Sequence, residues 1–230
     1  MPTTPSYSLT WDGVGEKRYE TGTKNGVVYP LDTTTKTYNN GYAWNGLTAV
    51  NETPSGAEAT DLYADDIKYA SMRSAETFAA TIEAYTYPPE FAVLDGTAEI
   101  AAGVSIGQQA RGVFGFSYVS TIGDDVSGNN AGYKLHLIYG LTASPSEKSY
   151  ATISDSPDAI TFSWEAESTP VSVTGHNATS QITIDSTKAD ATKLAALKQI
   201  LYGTPASQGT EAVAPRLPLP DEVATLMAAG

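Results

Sequence analysis

The sequence predicts a mainly β fold, a sandwich or partly open barrel with one substantial helix. Three observations predict it. Short runs that alternate apolar and polar residues recur along the chain. Tyrosine, with 14 copies, and threonine are abundant, and both suit pleated, half-buried strands. Only one stretch repeats its apolar residues at helical spacing. At 230 residues the chain can bury one sizeable core, so a single domain over 1–230 is the simplest division, with two small ones as the alternative.

Taken in order, residues 1–11 read as an extended arm, with Pro2 and Pro5 ahead of Trp11. Arg18 to Glu20 and Gly26 to Leu31 read as short strands around a hairpin turn at Lys24-Asn25-Gly26. A polar stretch ends in a second turn at Asn39-Asn40-Gly41, and Tyr42 to Val50 fits a strand. Pro54, Ser55 and Gly56 mark Asn51 to Thr60 as a loop. Ile67 to Arg73 alternates. The clearest period-two run is Thr77 to Tyr87, with Phe78, Ala80, Ile82 and Ala84 on one face, stopped by Pro88-Pro89.

Phe91 to Leu94 fits one short helical turn. Arg111 to Thr121 places Phe114, Phe116 and Tyr118 on one strand face. Gly123 to Gly132 reads as a polar loop, and Tyr133 to Ala143 as the antiparallel partner with Leu135, Leu137 and Tyr139 on one side. Further strands are expected at Ala159 to Glu165, Val171 to Thr174 and Thr179 to Ile184. The helix is placed at 190–202 on the stripe Leu194, Leu197, Leu201, with Thr187 and Asp190 as a loose capping box and Gly203 as its stop. The proline-rich remainder, 204–230, reads as a second arm with a short helix near Glu222 to Met227.

Composition narrows the function classes. The 26 acidic residues exceed the 13 Lys and Arg, giving a net charge of −13, which argues against tight nucleic-acid binding. Such a surface still suits a passage through which a polyanion slides. The absence of cysteine removes disulfides and thiolate chemistry. Met1 to Thr10 has neither a basic cluster nor an apolar run, so no signal peptide is expected there, and no stretch approaches the roughly 20 apolar residues of a membrane span.

Candidate sites fail on their context. Gly103-Val104-Ser105-Ile106-Gly107 has the spacing of a nucleophile elbow, with Asp124 and His136 downstream in the order a hydrolase needs. A strand pattern follows it, where an elbow requires a helix. The two histidines, His136 and His176, lack metal-ligand spacing. Asp124, Asp125, Ser127, Asn129 and Asn130 could offer oxygens to calcium, yet they lack the EF-hand pattern and read equally as turn formers. Asp61, Asp65 and Asp66 read as a solvated face. Glu83, Glu165 and Glu167 could serve as acid and base only if folding joined them. Asn177-Ala178-Thr179 is a formal glycosylation sequon. No phosphate-binding glycine loop is present. The expectation is therefore no catalytic, cofactor or metal residue, and a structural or interaction protein.

The strings RGVFGFSYVSTIGDD, GYKLHLIYG and ASPSEKSYATISDSPDAITFSWE, between Arg111 and Glu165, resemble the major tail tube proteins of long-tailed phages, especially those of Gram-positive hosts. ILYGT (Ile200 to Thr204) and RLPLPDEV (Arg216 to Val223) resemble the same family's closing segment, and the resemblance covers most of Tyr7 to Val223. Asp124-Asp125 stands where Asn-Asp is expected, a difference confined to a loop. The resemblance implies hexameric rings stacked head-to-tail into a hollow, non-contractile virion tube. It implies a continuous inner β-barrel with the helix outside, and an extended loop and termini bridging successive rings. The implied partners are further copies, the tape measure protein, tail terminator and tip proteins, and DNA in transient contact within the lumen. It implies no cofactor and no catalytic residue. Three other readings compete. One is a carbohydrate- or receptor-binding sandwich using Trp11, Trp44 or Tyr42 as stacking platforms. Another is a hydrolase using Ser105. The third is the tube of a contractile tail or secretion apparatus.

Overall fold

The computed structural model describes residues 9, 11–56, 58–153, 159–206 and 211–228. Of the expected amino-terminal arm, only Leu9 and Trp11 fall among them, and both are exposed. The fold is mainly β, with 49% of the described residues in strands and 12% in helices, as the period-two runs predict.

Strand β1 (Tyr19–Asp32) is one continuous strand. Its antiparallel partner is β10 (Val113–Asp124), and their register jumps between Lys24 and Val27. Asn25, at φ 55°, and Gly26 are therefore a β-bulge, not the expected hairpin turn; both features need a residue that tolerates the left-handed region. After β2 (Thr37–Tyr38) come β3 (Tyr42–Trp44) and β4 (Leu47–Gly56). The single strand expected over Tyr42 to Val50 is broken at Gly46, whose φ of 73° turns the chain from β1's side onto a second layer. The loop expected at Asn51 to Thr60 is largely strand. Pro54 is accommodated because β4 is an edge, paired only with β7 (Glu76–Ala84) among the described residues.

Between β4 and β7 the chain forms a separate hairpin, β5 (Ala59–Ala64) and β6 (Ile67–Arg73). Helix α1 (Pro89–Leu94) follows, then a second separate hairpin, β8 (Ala98–Ala101) and β9 (Val104–Ile106). Strands β10 and β11 (Gly128–Ala143) then run almost to the tip of their turn, so the loop expected over Gly123 to Gly132 shrinks to three residues. Asp124 closes that turn by accepting from the Val126 N–H at 2.9 Å and from Ser127.

Strand β11 changes partners along its length. Lys134 to Ile138 pairs with β13 (Gln181–Asp185), whereas Leu141 to Ala143 pairs with β12 (Phe162–Ser168). Gly140 makes the corner at φ 65°, and a Cβ there would overlap the Thr169 carbonyl, so only glycine fits. The bend folds β12-β7-β4 over β1-β10-β11 and encloses the first core. Trp164, Trp44, Phe91, Phe114 and Phe116 meet there, largely edge to face. Phe78, Ala80, Ile82 and Ala84 point into it, as the alternation predicts.

The second core lies on the opposite face of β1-β10-β11, against α2 (Ala191–Tyr202) and α3 (Pro220–Met227). Leu194, Leu197 and Leu201 are buried there with Leu135, Leu137 and Tyr139. The cap of α2 is Asp190 alone. Its carboxylate accepts from the Thr192 and Lys193 N–H groups at 2.9 and 3.0 Å, and Thr187 plays no part in the cap. Buried Tyr29 donates to the Leu201 carbonyl at 2.9 Å, tying β1 to the end of α2. The two short helices fall where a turn over Phe91 to Leu94 and a short helix near Glu222 to Met227 are expected, each starting two residues earlier at a proline, which suits the first helical position. The described part of 204–230 is not a free arm. Pro215 accepts from Gly41, Leu217 bridges Tyr38, and Leu217 and Val223 are buried, because their apolar side chains complete the second core.

Candidate assembly surfaces

Ser105, Asp124 and His136, which a hydrolase would need together, lie in three separate elements. Ser105 lies in β9, on the exposed hairpin, where its opposite number is Glu99. His136 lies in β11, stacked on Tyr118 at 4.4 Å, with Nε2 at 2.9 Å from the Ser120 hydroxyl and Nδ1 at 3.8 Å from Glu52. Burial pushes the His136 imidazole below its ordinary value, and the Glu52 carboxylate opposes that shift. Tyr118 donates to the same carboxylate at 2.9 Å. Asp124 is committed to its turn.

The proposed calcium ligands are used locally. Asp125 accepts from the Gly15 N–H at 3.0 Å and Asn129 accepts from the Tyr19 hydroxyl at 2.9 Å. Among the described residues no group of three or more acidic, His or Cys residues could hold a metal. His176 sits in a surface turn beside a groove of about 960 Å³ between β13 and α3, lined by Ile182, Lys188, Val223 and Met227 among others. The sequon residues Asn177 to Thr179 border the same groove. Trp44 is no platform: it is 3% exposed and donates to the Thr86 carbonyl at 2.8 Å. Tyr42 is half-buried against the first core, while Trp11 is exposed.

Folding does bring the three glutamates onto one surface. In β12, β7 and β4 alternate residues face away from the first core. The register sets Ser163 beside Glu83 and Ala49, Glu165 beside Thr81 and Asn51, and Glu167 beside Ala79 and Thr53. This outward face has Glu83, Glu165 and Glu167, small or hydroxylated neighbours, and no Lys or Arg among the described residues. It lies on the side of the molecule opposite α2 and α3, with β4 as an open edge.

The β5–β6 hairpin is amphipathic. Asp65 and Asp66, at φ 51° and 63°, form a two-residue turn of the primed kind that suits a twisted hairpin. Across the register, Leu62, Ala64, Ile67, Ala70 and Met72 share one face with Thr60. Ala59, Asp61, Tyr63, Lys68, Ser71 and Arg73 share the other, where Lys68 pairs with Asp61 at 2.8 Å and holds that carboxyl below its usual range. The apolar face is uncovered: Leu62, Ile67 and Met72 are 42%, 64% and 61% exposed. Sequence reading missed β5, although Asp-Asp between apolar alternations was the available signal. The smaller β8–β9 hairpin repeats the plan, with Ala98, Ala101, Val104 and Ile106 on one face and Glu99 and Ser105 on the other.

No protein-family model matches the chain, and no curated protein matches it. No helix among the described residues is long and apolar enough to cross a membrane.

Proposed function

We propose that this chain is the subunit of a hollow, self-assembled tube of the kind built by the major tail tube proteins of long-tailed phages. Six copies close into a ring through their sheet edges, and rings stack head-to-tail into a non-contractile conduit for DNA. The tape measure protein and the terminator and tip proteins are its further partners in the virion. The observation that carries the reading is the uncovered acidic face of β12-β7-β4. A sheet with an open edge pairs with other chains unless it is guarded, and ring closure removes such edges. A wall carrying glutamates and no cation repels phosphates and lets a polyanion slide. The helices on the opposite side then form the outer wall. The resemblance of Arg111 to Glu165 and of the closing segment supports the same assignment. The glycan-binding alternative loses one of its platform residues, Trp44, to the first core, and Tyr42 is half-buried against it.

The salt dependence of assembly tests this reading. If the glutamate faces surround a common axis, their repulsion grows as salt falls, because the screening length reaches about 30 Å at 0.01 M. Sedimentation should then show the critical concentration for assembly rising at low salt. The variant E83Q/E165Q/E167Q should show a much flatter dependence. Parent and variant tracking each other at every salt, or a monomer at every concentration, would remove the reading.

A further inference from the structure

We propose that the apolar face of the β5–β6 hairpin in one copy packs on the apolar face of the β8–β9 hairpin in the next copy along the stack. The inference rests on the reading of axial stacking and names the surface that receives the hairpin.

Both ribbons lie off the main sheet. A two-stranded ribbon alone is at best marginally stable in water and needs cover on its apolar face. Among the described residues, neither ribbon receives that cover from its own chain: Ile67 and Met72 in the first, and Val104 and Ile106 in the second, remain exposed. The ribbons are rooted at opposite ends of one strand. β5–β6 runs into β7 at Glu76, and β8–β9 is reached from Ala84 through α1. At about 3.3 Å per residue, the two ends of β7 lie about 26 Å apart. A contact between two different surfaces at opposite ends of a subunit propagates, whereas a surface that pairs with itself closes a dimer.

Charge singles out the same pair. The chain carries −13, so most surfaces of two copies repel. The apolar faces of both ribbons carry no charged residue, and joining them buries none. The shapes also differ usefully. The first ribbon offers the large Leu62, Ile67 and Met72, while the second offers Ala98 and Ala101 beside Val104, so large side chains can seat over small ones. The groove between β13 and α3 is the competing acceptor, but Asp185, Lys188 and His176 line it and would be desolvated.

The absence of cysteine makes a crosslinking test clean. L62C/V104C places one thiol on each ribbon. Oxidation of assembled protein should yield a ladder of covalent oligomers, while L62C and V104C alone should yield none beyond dimer. L62C/M227C reports the groove. A ladder from that pair and not from L62C/V104C would overturn the acceptor while leaving stacking intact. Assembled particles with no ladder from L62C/V104C would also overturn it. Hydrogen exchange on the unsubstituted protein is independent of any folding defect in the variants. Assembly should protect amides of β5–β6 and β8–β9 together. Protection of the first without the second would overturn the inference, and absence of any assembly would remove the stacking reading beneath it.

Discussion

Replacing Leu62, Ile67 and Met72 together by alanine should cripple assembly while leaving the monomer intact. Full burial of such a side chain contributes about 2 kcal/mol. The three are 42%, 64% and 61% exposed, so each has roughly half of that still to gain from a partner. Their combined loss is about 3 kcal/mol per contact, close to a 150-fold rise in the critical concentration at about 1.4 kcal/mol per factor of ten. The free subunit should lose about 0.5 kcal/mol or less, because the hairpin lies outside both cores. Light scattering against concentration reads the first quantity, and urea unfolding at a dilution where the protein is monomeric reads the second. A critical concentration within threefold of the parent would refute the claim that this face awaits a partner. A fall of several kcal/mol in monomer stability would place the residues in the chain's own core instead.

Other positions test the fold. Gly140→Ala should cost at least about 3 kcal/mol in urea unfolding, from the left-handed backbone together with overlap on the Thr169 carbonyl. Asp190→Ala should cost about 1 kcal/mol, since two N–H groups of the first turn of α2 lose their acceptor. Acid should weaken the protein partly through His136. Its folded value lies below the ordinary 6.5, so its contribution is complete above pH 6.5 and is lost as pH falls through the folded value. His136→Gln should therefore show a shallower loss of urea midpoint between pH 7 and pH 5 than the parent, and an equal loss in both would contradict the burial argument.

The strand faces were legible because burial follows a period of two: Phe78 to Ala84, Phe114 to Tyr118 and Leu135 to Tyr139 all point where the alternation puts them. The stripe of α2 was legible for the same reason at helical period. Boundaries were not. Asn25-Gly26 signals a left-handed residue, which a hairpin turn and a bulge both require, and only the unbroken partner β10 decides between them. Pro54 marks a loop unless the strand is an edge, a property of the sheet and not of the segment. The glutamate face was hidden more deeply. Alternation predicts that Glu83 and Glu165 each point away from the core, but they become neighbours only through the pairing of β7 with β12, strands distant in sequence. Ser105 shows the converse, a motif spacing met by a hairpin strand instead of a strand-to-helix elbow.

Electron cryomicroscopy of the concentrated protein, averaged along any particles it forms, shows which face of the subunit lines the axis. Hollow particles are expected, with an inner wall that carries Glu83, Glu165 and Glu167, sheets that continue from the β4 edge into the neighbouring copy, and α2 and α3 as the outer wall. Particles with those helices lining the axis, or a field of separate monomers at high concentration, would contradict it.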